Sequence, residues 1–494
     1  SLRADLDAAL PYELTAGQAR VGEDLAAALD STVPMQVLLQ GDVGSGKTLV
    51  ALRAMTQVVG AGGQAALLAP TEVLAAQHHS SLEGLLGPLG RAGMLGGAER
   101  ATRVMLLTGS TPAPQRREIL ALMAAGEPAI VVGTHALLSE TVQIPSLGLV
   151  VVDEQHRFGV AQRDALRERR GVIDPVTGAE RTPHLLVMTA TPIPRTIAMT
   201  VFGDLDTAVL DELPAGRRPV ATHLVPWERQ AWVEGIWRRA AREVAAGGRV
   251  YVVCPRIDAD DQAGRSDTDA DRPEASDDLL ESLEPEDPRR PLAAVTQWVQ
   301  RLADEPALAG TGIGALTGRM PSAEKEAAMK AFAGGASPVL VATTVIEVGV
   351  DVPEATMMVI LDADRFGLSQ LHQLRGRVGR GSSAAVCVAV TGAEVGSTAF
   401  HRLKAFASTT DGFELSRIDL AQRREGDILG AAQSGSKSTL RFLRALADAE
   451  IIERAREDAH SVVEKDPTLA KHPSLARTID RALDADREAF LGRG

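Results

Sequence analysis

Aromatic residues are scarce in this chain: Phe, Tyr and Trp together supply 15 of its 494 residues. So few rings are a poor supply for platforms on which unpaired nucleotide bases stack. Only two cysteines are present, Cys254 and Cys387, each in an apolar stretch far from the other. This excludes a disulfide framework and a cysteine-rich metal site, and it favours buried free thiols in a reducing cytoplasm.

Two further features are missing. No apolar run is long enough to cross a bilayer, and the chain begins with Ser1 instead of Met, without a signal-peptide pattern behind it. We therefore expect a cytoplasmic protein with no membrane partner, whose first residue is a cut or processed boundary. A hydrophobic share of 45% is typical of a globular protein, and 494 residues are too many for one core, so two or three domains are expected.

The net charge of −13 is unevenly distributed along the chain. Residues 257–288 hold 13 Asp and Glu against two Arg, so the rest of the chain carries a charge near −2. This acidic segment has no aromatic residue and three prolines, a composition that buries too little apolar surface to fold. We expect a disordered insertion at about 257–290, with a regulatory mimic of DNA as the alternative. The near-neutral remainder is compatible with a basic groove.

Short apolar runs alternate with helical segments over most of the chain. Continuous hydrophobic strands that alternate with helices indicate parallel sheets buried on both faces. The pattern breaks at 213–219, which predicts a linker between two α/β domains, and after about residue 395 it is replaced by helix. The predicted strands lie at 35–40, 65–69, 129–132, 147–152, 185–188, 250–254, 338–342, 357–361 and 385–390.

A glycine-rich segment lies between the first predicted strand and a predicted helix over 48–59. A unit of this kind turns backbone N–H groups and a helix N-terminus toward one point, where they hold phosphate oxygens. Lys47 would reach the β- and γ-phosphates, and the Thr48 hydroxyl would ligate Mg²⁺. The segment predicts binding of a nucleoside triphosphate, and the alternative is a chance glycine-rich turn. Its residues fit G-x-x-x-x-G-K-[ST]: Gly41, Asp42, Val43, Gly44, Ser45, Gly46, Lys47 and Thr48.

Two adjacent carboxylates, Asp153 and Glu154, end the apolar strand at 147–152. Ligands of open α/β sheets bind at the carboxyl ends of the strands, so this pair is expected near the triphosphate. There Asp153 would hold Mg²⁺ through water, and Glu154 would orient and deprotonate the attacking water. An isolated acidic pair is usually a helix cap or a solvated turn, but Lys47 lies 106 residues before Asp153 in a phosphate loop, which favours the catalytic interpretation.

The motifs over residues 11–381 resemble, in type and order, those of superfamily 2 nucleic-acid helicases. Tyr12 and Gln18 resemble the adenine-reading segment, in which Tyr12 would stack on the base and the Gln18 amide would meet its edge. The resemblance also assigns Gly349 and Asp351 to ATP binding. Residues that match the motifs for DNA contact, or for coupling DNA to ATP, are Pro70, Thr71, Gly109, Thr134, His156, Thr189, Thr191, Thr343 and Gln373.

Arg377 and Arg380 belong to the last of these motifs, in the second predicted domain. Phosphoryl transfer needs positive charge where negative charge develops, and an arginine supplied across a cleft provides it only when the cleft is closed. The resemblance implies that Arg380 contacts the γ-phosphate and that Arg377 supports it. Hydrolysis then removes the reason for closure, and repeated closing and opening on a nucleic-acid backbone gives directional stepping.

Two segments narrow the resemblance to the RecG-type branched-DNA helicases: 153–163 and 190–196. The transcription-repair coupling factor shares much of this pattern. Residues 411–435 resemble the helical-hairpin translocation motif of both families, in which Arg423, Arg424 and Gln433 are the residues for DNA binding or coupling.

The sequence therefore predicts an α/β protein with two tandem RecA-like parallel-sheet motor domains and a mainly helical C-terminal region. We expect helicase domain 1 at 1–215, helicase domain 2 at 216–395 and the helical region at 396–494. The resemblance implies a monomeric, ATP- and Mg²⁺-dependent DNA helicase that remodels stalled forks and Holliday junctions in repair and recombination, here without the family's N-terminal wedge domain. The alternatives are a coupling-factor type of double-stranded DNA translocase and a non-catalytic, nucleotide-gated DNA-binding module.

Overall fold

The structure is a computed structural model of the chain. It describes residues 1–31, 33–139, 142–153, 172–173, 180–190, 205–212, 219–258, 292–344, 346, 352–381, 383–422 and 449–481. The chain divides into two compact units. The larger unit comprises Ser1–Pro194 with Asp204–Arg423, and the smaller unit comprises Arg195–Gly203 with Arg424–Gly494.

Seven parallel strands form the first sheet of the larger unit. The first nine strands of the chain are β1 (Gln36–Gly41), β2 (Gln64–Leu68), β3 (Val104–Leu107), β4 (Ile130–Gly133), β5 (Leu147–Asp153), β6 (Val172–Ile173), β7 (Glu180–Arg181), β8 (His184–Thr189) and β9 (Asp206–Leu210). The sheet has the order β3-β4-β2-β5-β8-β1-β9, while β6 and β7 form a separate antiparallel pair. Because all strands of the sheet are parallel, their carboxyl ends lie along one edge.

Among the described residues, five helices accompany this sheet: α1 (Leu2–Ala9), α2 (Ala16–Leu29), α3 (Lys47–Gly60), α4 (Glu72–Leu86) and α5 (Ala113–Ala124). Helix α2 begins at a capping box, because the Thr15 side chain accepts from the N–H of Gln18 while the Gln18 side chain accepts from the N–H of Thr15. Leu6 of α1 and Met55 of α3 pack with the inner strands in one buried apolar cluster.

Six further parallel strands form the second sheet. They are β10 (Ala221–Pro226), β11 (Arg249–Val253), β12 (Ile313–Leu316), β13 (Val339–Ala342), β14 (Ala355–Ile360) and β15 (Val386–Thr391), in the order β10-β15-β14-β11-β13-β12. Alternate residues of an inner strand enter two different clusters: Tyr251 and Val253 lie on one face, and Val250 and Val252 lie on the other. Both faces are covered, which explains why the inner strands are continuously apolar.

The remaining described helices are α6 (Gln230–Ala245), α7 (Val295–Ala303), α8 (Ser322–Gly334), α9 (Leu368–Arg375), α10 (Thr398–Ser408), α11 (Gly412–Gln422) and α12 (Ala449–Lys465). Helices α6 and α7 pack on the face of the second sheet that carries Val250, through Trp237 and Trp298. Helices α8 to α11 contribute to the cluster on the opposite face. Helix α12 belongs to the smaller unit, where Asp466 after it accepts the N–H groups of Ala470 and Lys471.

The predicted fold class is confirmed: two parallel-sheet α/β domains are followed by helices. All nine predicted strands are present, and Cys254 and Cys387 are buried free thiols. Residues 213–218 of the linker predicted at 213–219, and the acidic insertion from residue 259, lie outside the described residues, and the domain boundaries remain predictions. None of the helices in the described ranges is both long and apolar enough to cross a membrane.

Candidate nucleotide and DNA site

The strand order of the first sheet separates two groups of predicted site residues along one edge. The phosphate loop follows β1, Thr189 ends β8 and Asp153 ends β5, and these three strands are adjacent. Predicted DNA motifs follow three of the remaining four strands: Pro70 and Thr71 lie after β2, Thr134 after β4 and Gly109 after β3. The edge thus consists of a nucleotide half and a DNA half, with β5 at the boundary.

Backbone geometry explains why the phosphate loop needs its glycines. Gly44 and Gly46 have φ values of 82° and 88°, in the left-handed region that side chains disfavour. A Cβ on Gly46 would also overlap the amide nitrogen of Gln18. Helix α3 starts directly after Gly46, at Lys47, so the loop delivers its backbone to a helix N-terminus.

The Lys47 ammonium lies on the loop itself. Its Nζ donates to the carbonyl oxygens of Gly41 and Asp42, at 2.6 and 2.9 Å. The ammonium has three donors, so it is able to bind a phosphate oxygen beside these carbonyls, and a phosphate there competes with the contact to the main chain at Asp42.

Gln18 and Tyr12, the predicted adenine readers, occupy different environments. Gln18 is buried, and its amide nitrogen donates to the Ser45 carbonyl at 2.9 Å while its oxygen accepts from Thr15. This amide therefore fixes the phosphate loop to helix α2. Tyr12 is 52% exposed. Its ring helps to line a cavity of about 440 Å³ together with Asp7, Leu10, Pro11, Glu13 and Leu14.

Asp153 is held as a carboxylate by a histidine that the sequence analysis missed. Nε2 of His78, on α4, lies 2.7 Å from Oδ2 of Asp153. Burial raises the pKa of Asp153, but the hydrogen bond from His78 and the positive charges of Lys47 and Arg377 outweigh burial, so its pKa lies below the usual value. An ionised carboxylate and the Thr48 hydroxyl are hard oxygen ligands, the chemistry that suits Mg²⁺. No group of three or more metal-ligating side chains occurs among the described residues.

Contacts across the larger unit bring the arginine motif of the second sheet to the phosphate loop. Gly376, between α9 and Arg377, packs on Val43 so closely that a Cβ would lie 3.0 Å from the Cβ of Val43. The positive charge of Arg377 is one of the causes that lower the pKa of Asp153. Nε of Arg380 donates to the Gly376 carbonyl at 3.0 Å. Both arginines thus lie in the segment that touches the loop.

A second link between the same two parts joins Asp42 of the phosphate loop to His372, a residue to which the sequence assigned no role. Nε2 of His372 lies 2.6 Å from Oδ1 of Asp42, although 330 residues separate them. Burial raises the pKa of Asp42, but the hydrogen bond from His372, the N–H of Val43 and the charge of Lys47 outweigh it, and the pKa lies below its usual value. Because His372 shows no distinctive pattern in the sequence, only its proximity to Asp42 reveals the link.

The predicted DNA-contact residues differ in exposure. Thr71 caps α4, its hydroxyl accepting from the N–H of Leu74, and Gly109 lies exposed at the start of the next motif. In contrast, four members of the group are buried, which favours a role in coupling over direct contact with a phosphate: Thr134, Thr189, Thr343 and Gln373.

Eight predicted site residues lie outside the described residues, and their assignments remain predictions. They are Glu154, His156, Thr191, Gly349, Asp351, Arg423, Arg424 and Gln433.

Three family models match consecutive parts of the chain. Residues 18–200 match the DEAD/DEAH box helicase family, and residues 276–382 match the helicase conserved C-terminal domain. Residues 409–483 match a domain described as ATP-dependent DNA helicase RecG, domain 3, C-terminal. The first two regions contain the two sheets' site residues, and the third begins immediately after α10.

Curated relatives match the whole chain. The ATP-dependent DNA helicase RecG of Mycobacterium tuberculosis (strain ATCC 25618 / H37Rv) is 50% identical over 493 residues, which are 100% of this chain and 63% of that protein. The protein of the same name from Bacillus subtilis (strain 168) is 39% identical over 474 residues, 96% of this chain and 61% of its own length. The chain therefore spans about three fifths of the length of these relatives.

Solved structures agree with this match. A structure of RecG bound to a three-way DNA junction has a TM-score of 0.67 and 35% identity, covering 92% of this chain and 52% of that one. Yeast Dbp5 bound to RNA and ADP BeF3 has a TM-score of 0.53 at 16% identity, covering 87% of this chain and 97% of that one, and supports the fold alone. With half of its residues identical to mycobacterial RecG and a RecG-specific domain at its C-terminal end, the chain belongs to the RecG family.

Proposed function

We propose that this chain is an ATP-driven motor that moves on duplex DNA and, within a longer protein, remodels branched DNA such as stalled forks and Holliday junctions. One observation carries the proposal. The phosphate loop after β1 is in contact with the arginine motif of the second sheet, through Gly376 on Val43, while the DNA motifs share its sheet edge. ATP bound between the two sheets is then able to change the contact between the phosphate loop and the arginine motif. The DNA binds at the same sheet edge, so a change in this contact moves the DNA-binding residues.

The proposed hydrolysis distributes its tasks among named side chains. Lys47, whose ammonium lies at the carbonyls of Gly41 and Asp42, binds the phosphates. Thr48 and Asp153 would hold Mg²⁺, which would supply positive charge to the phosphate oxygens. Arg380 and Arg377 add charge from the second domain, where negative charge develops during phosphoryl transfer. Glu154 orients and deprotonates the attacking water.

Contacts to DNA in this proposal are made to the sugar-phosphate backbone. The chain has few aromatic rings for base stacking, and exposed backbone at Gly109 and the cap of α4 at Thr71 are groups that bind phosphate without reading sequence. The RecG structure with a three-way junction supports branched DNA as the physiological partner. In this proposal strand separation is assigned to the N-terminal wedge that the family resemblance implies, and the chain described here supplies the motor.

The test is ATP turnover measured with single-stranded, linear duplex, forked and four-way DNA of equal length. We expect stimulation by duplex DNA that weakens as salt is raised, because phosphate contacts release counterions. We also expect little preference for forks over linear duplex and little unwinding, until a longer form that carries the wedge is tested. Turnover that ignores all four DNA molecules would overturn the motor assignment. Fork unwinding by this chain at the rate of the longer form would overturn the assignment of strand separation to the wedge.

A further inference from the structure

His372 lies where three parts of the larger unit meet. Its Nε2 lies 2.6 Å from Oδ1 of Asp42 in the phosphate loop. Its Nδ1 lies 3.0 Å from a guanidinium nitrogen of Arg375, one turn further along α9. Its ring also lies against Gly412, the first residue of α11. The imidazole is only 6% exposed, so these groups are its surroundings.

The partners of His372 fix the direction of its hydrogen bonds. A guanidinium only donates, so Nδ1 must accept from Arg375 and the ring proton must reside on Nε2, where it is donated to Asp42. Arg375 in turn donates to the carbonyl oxygens of Phe406 and Thr409, at 2.9 and 2.8 Å. A continuous series of hydrogen bonds through Arg375 and His372 therefore connects the C-terminal end of α10 with the phosphate loop.

Gly412 makes the arrangement depend on α11. A Cβ at this position would lie 2.7 Å from Nε2 of His372, the same atom that donates to Asp42. The ring has no easy escape, because Arg375 holds its other nitrogen. Only glycine lets α11 begin this close to His372. The start of α11 is itself fixed by Asp411, whose side chain accepts from the N–H of Phe413 at 2.8 Å.

Asp42 is held from two sides. His372 and the N–H of Val43 bind its carboxylate, while Lys47, at 2.9 Å, and the N–H of Ser45 bind its main-chain oxygen. A phosphate that binds Lys47 competes for the donors that hold this oxygen, so the restraint on Asp42 beside His372 depends on the bound nucleotide. A change of nucleotide at the loop thereby affects His372, which packs on the RecG-specific region that begins at residue 409.

We propose that His372 is a positioning residue that couples the phosphate loop to the start of α11, so that nucleotide binding and DNA binding by the C-terminal region influence each other. This rests on the proposed function, in which the chain binds both ATP and DNA. Coupling is reciprocal, so it is measured as the ratio of the Kd values of a non-hydrolysable ATP analogue without and with duplex DNA.

The experiment compares wild type with Gly412→Ala, and uses Gly235→Ala in α6 as the matched control. No described atom lies within 4 Å of a Cβ at Gly235, so that change alters a helical glycine without a new contact. We expect a ratio of about 5 or more in wild type and in the control, a typical size for coupling between sites. In Gly412→Ala we expect a ratio near 1 with the analogue still bound. Hydrogen exchange at residues 409–415 should respond to the analogue in wild type and not in Gly412→Ala.

A second pair of variants covers the case that Gly412→Ala does not fold. His372→Ala removes the link without a clash and should also bring the ratio near 1, whereas His372→Gln keeps a donor and should restore part of it. Each remaining result has one meaning. A ratio of 1 in the wild-type protein, with the analogue bound, overturns the coupling role. A ratio in Gly412→Ala or His372→Ala that equals the ratio of the wild-type protein also overturns it. Failure of wild type to bind the analogue overturns the proposed function instead.

Discussion

Nε2 of His78 lies 2.7 Å from Oδ2 of Asp153, so a histidine on α4 holds the carboxylate that ends β5. These two elements belong to different halves of the sheet edge, because α4 follows the DNA motif at Thr71 and Asp153 belongs to the nucleotide half. The contact orients Asp153, the predicted Mg²⁺ ligand, and makes its position depend on a helix of the DNA half. Residues that support a metal ligand in this way matter nearly as much as the ligand itself.

Replacing His78 with alanine should therefore lower ATP turnover by about 10-fold or more, as for other partners of metal ligands. The neighbouring His79 offers a matched control, because its ring contacts the Val104 carbonyl and Glu83 instead of Asp153. Steady-state ATPase assays of His78→Ala and His79→Ala should separate the two. Equal losses in both variants would mean that helix α4 tolerates neither change and that the contact to Asp153 has no special part in turnover.

Lys47 and Glu154 are assigned to different steps, and their variants should fail differently. Lys47→Ala removes the ammonium that contacts Gly41 and Asp42 and should weaken both nucleotide binding and turnover. Glu154→Gln should bind ATP and hydrolyse it about 10²- to 10⁴-fold more slowly, the usual contribution of a general base. Nucleotide binding by fluorescence and turnover at saturation distinguish the cases. Turnover above about a tenth of wild type in Glu154→Gln would contradict the general-base role.

His184 gives the first sheet a pH dependence. Its Nδ1 accepts from the N–H of Met35 at 2.9 Å, and burial lowers its pKa from 6.5. The imidazole therefore takes up a proton more readily in the unfolded chain than in the folded one. The stability that depends on a neutral His184 is complete above pH 6.5 and is lost as the pH falls, by at most about 1.4 kcal/mol per pH unit. His184→Gln keeps an acceptor without a titration. Its Tm should fall less than that of wild type between pH 7.5 and 5.5, and parallel curves would contradict this role.

The two thiols should be unreactive in the folded chain. Burial raises the pKa of Cys387 from 9.0 to about 12, and burial also raises that of Cys254. Thiolate is the reactive form, so a thiol reagent at pH 8 should modify neither cysteine until denaturant unfolds the second sheet. Because the Cys387 thiol ionises at a higher pH in the folded chain than in the unfolded chain, the stability gained by its burial is complete below pH 9. This stability is lost between pH 9 and 12. Rapid labelling of native protein, measured by mass spectrometry, would show that the sheet opens locally.

The strand predictions separate by position in the sheets. All nine predicted strands are inner strands, and the four sheet strands that the sequence did not predict are the edges: β3, β9, β10 and β12. An inner strand of a parallel sheet is covered on both faces and reads as a continuous apolar run. An edge strand is partly exposed, as in β10, where buried and exposed residues are mixed. Its pattern resembles that of many loops.

The sequence by itself determined the parallel α/β class and the identity of the nucleotide loop, because both depend on residues that are close together in the chain. Burial imposes continuous apolar runs on inner strands, and phosphate binding imposes glycines beside Lys47. The tertiary structure decided which residues support that loop: His78 beside Asp153, His372 beside Asp42, and Gly412 beside His372. These contacts join residues up to 330 positions apart. No local pattern encodes such a pair, since its free energy arises only when the packing of two sheets and helix α11 brings the atoms within reach.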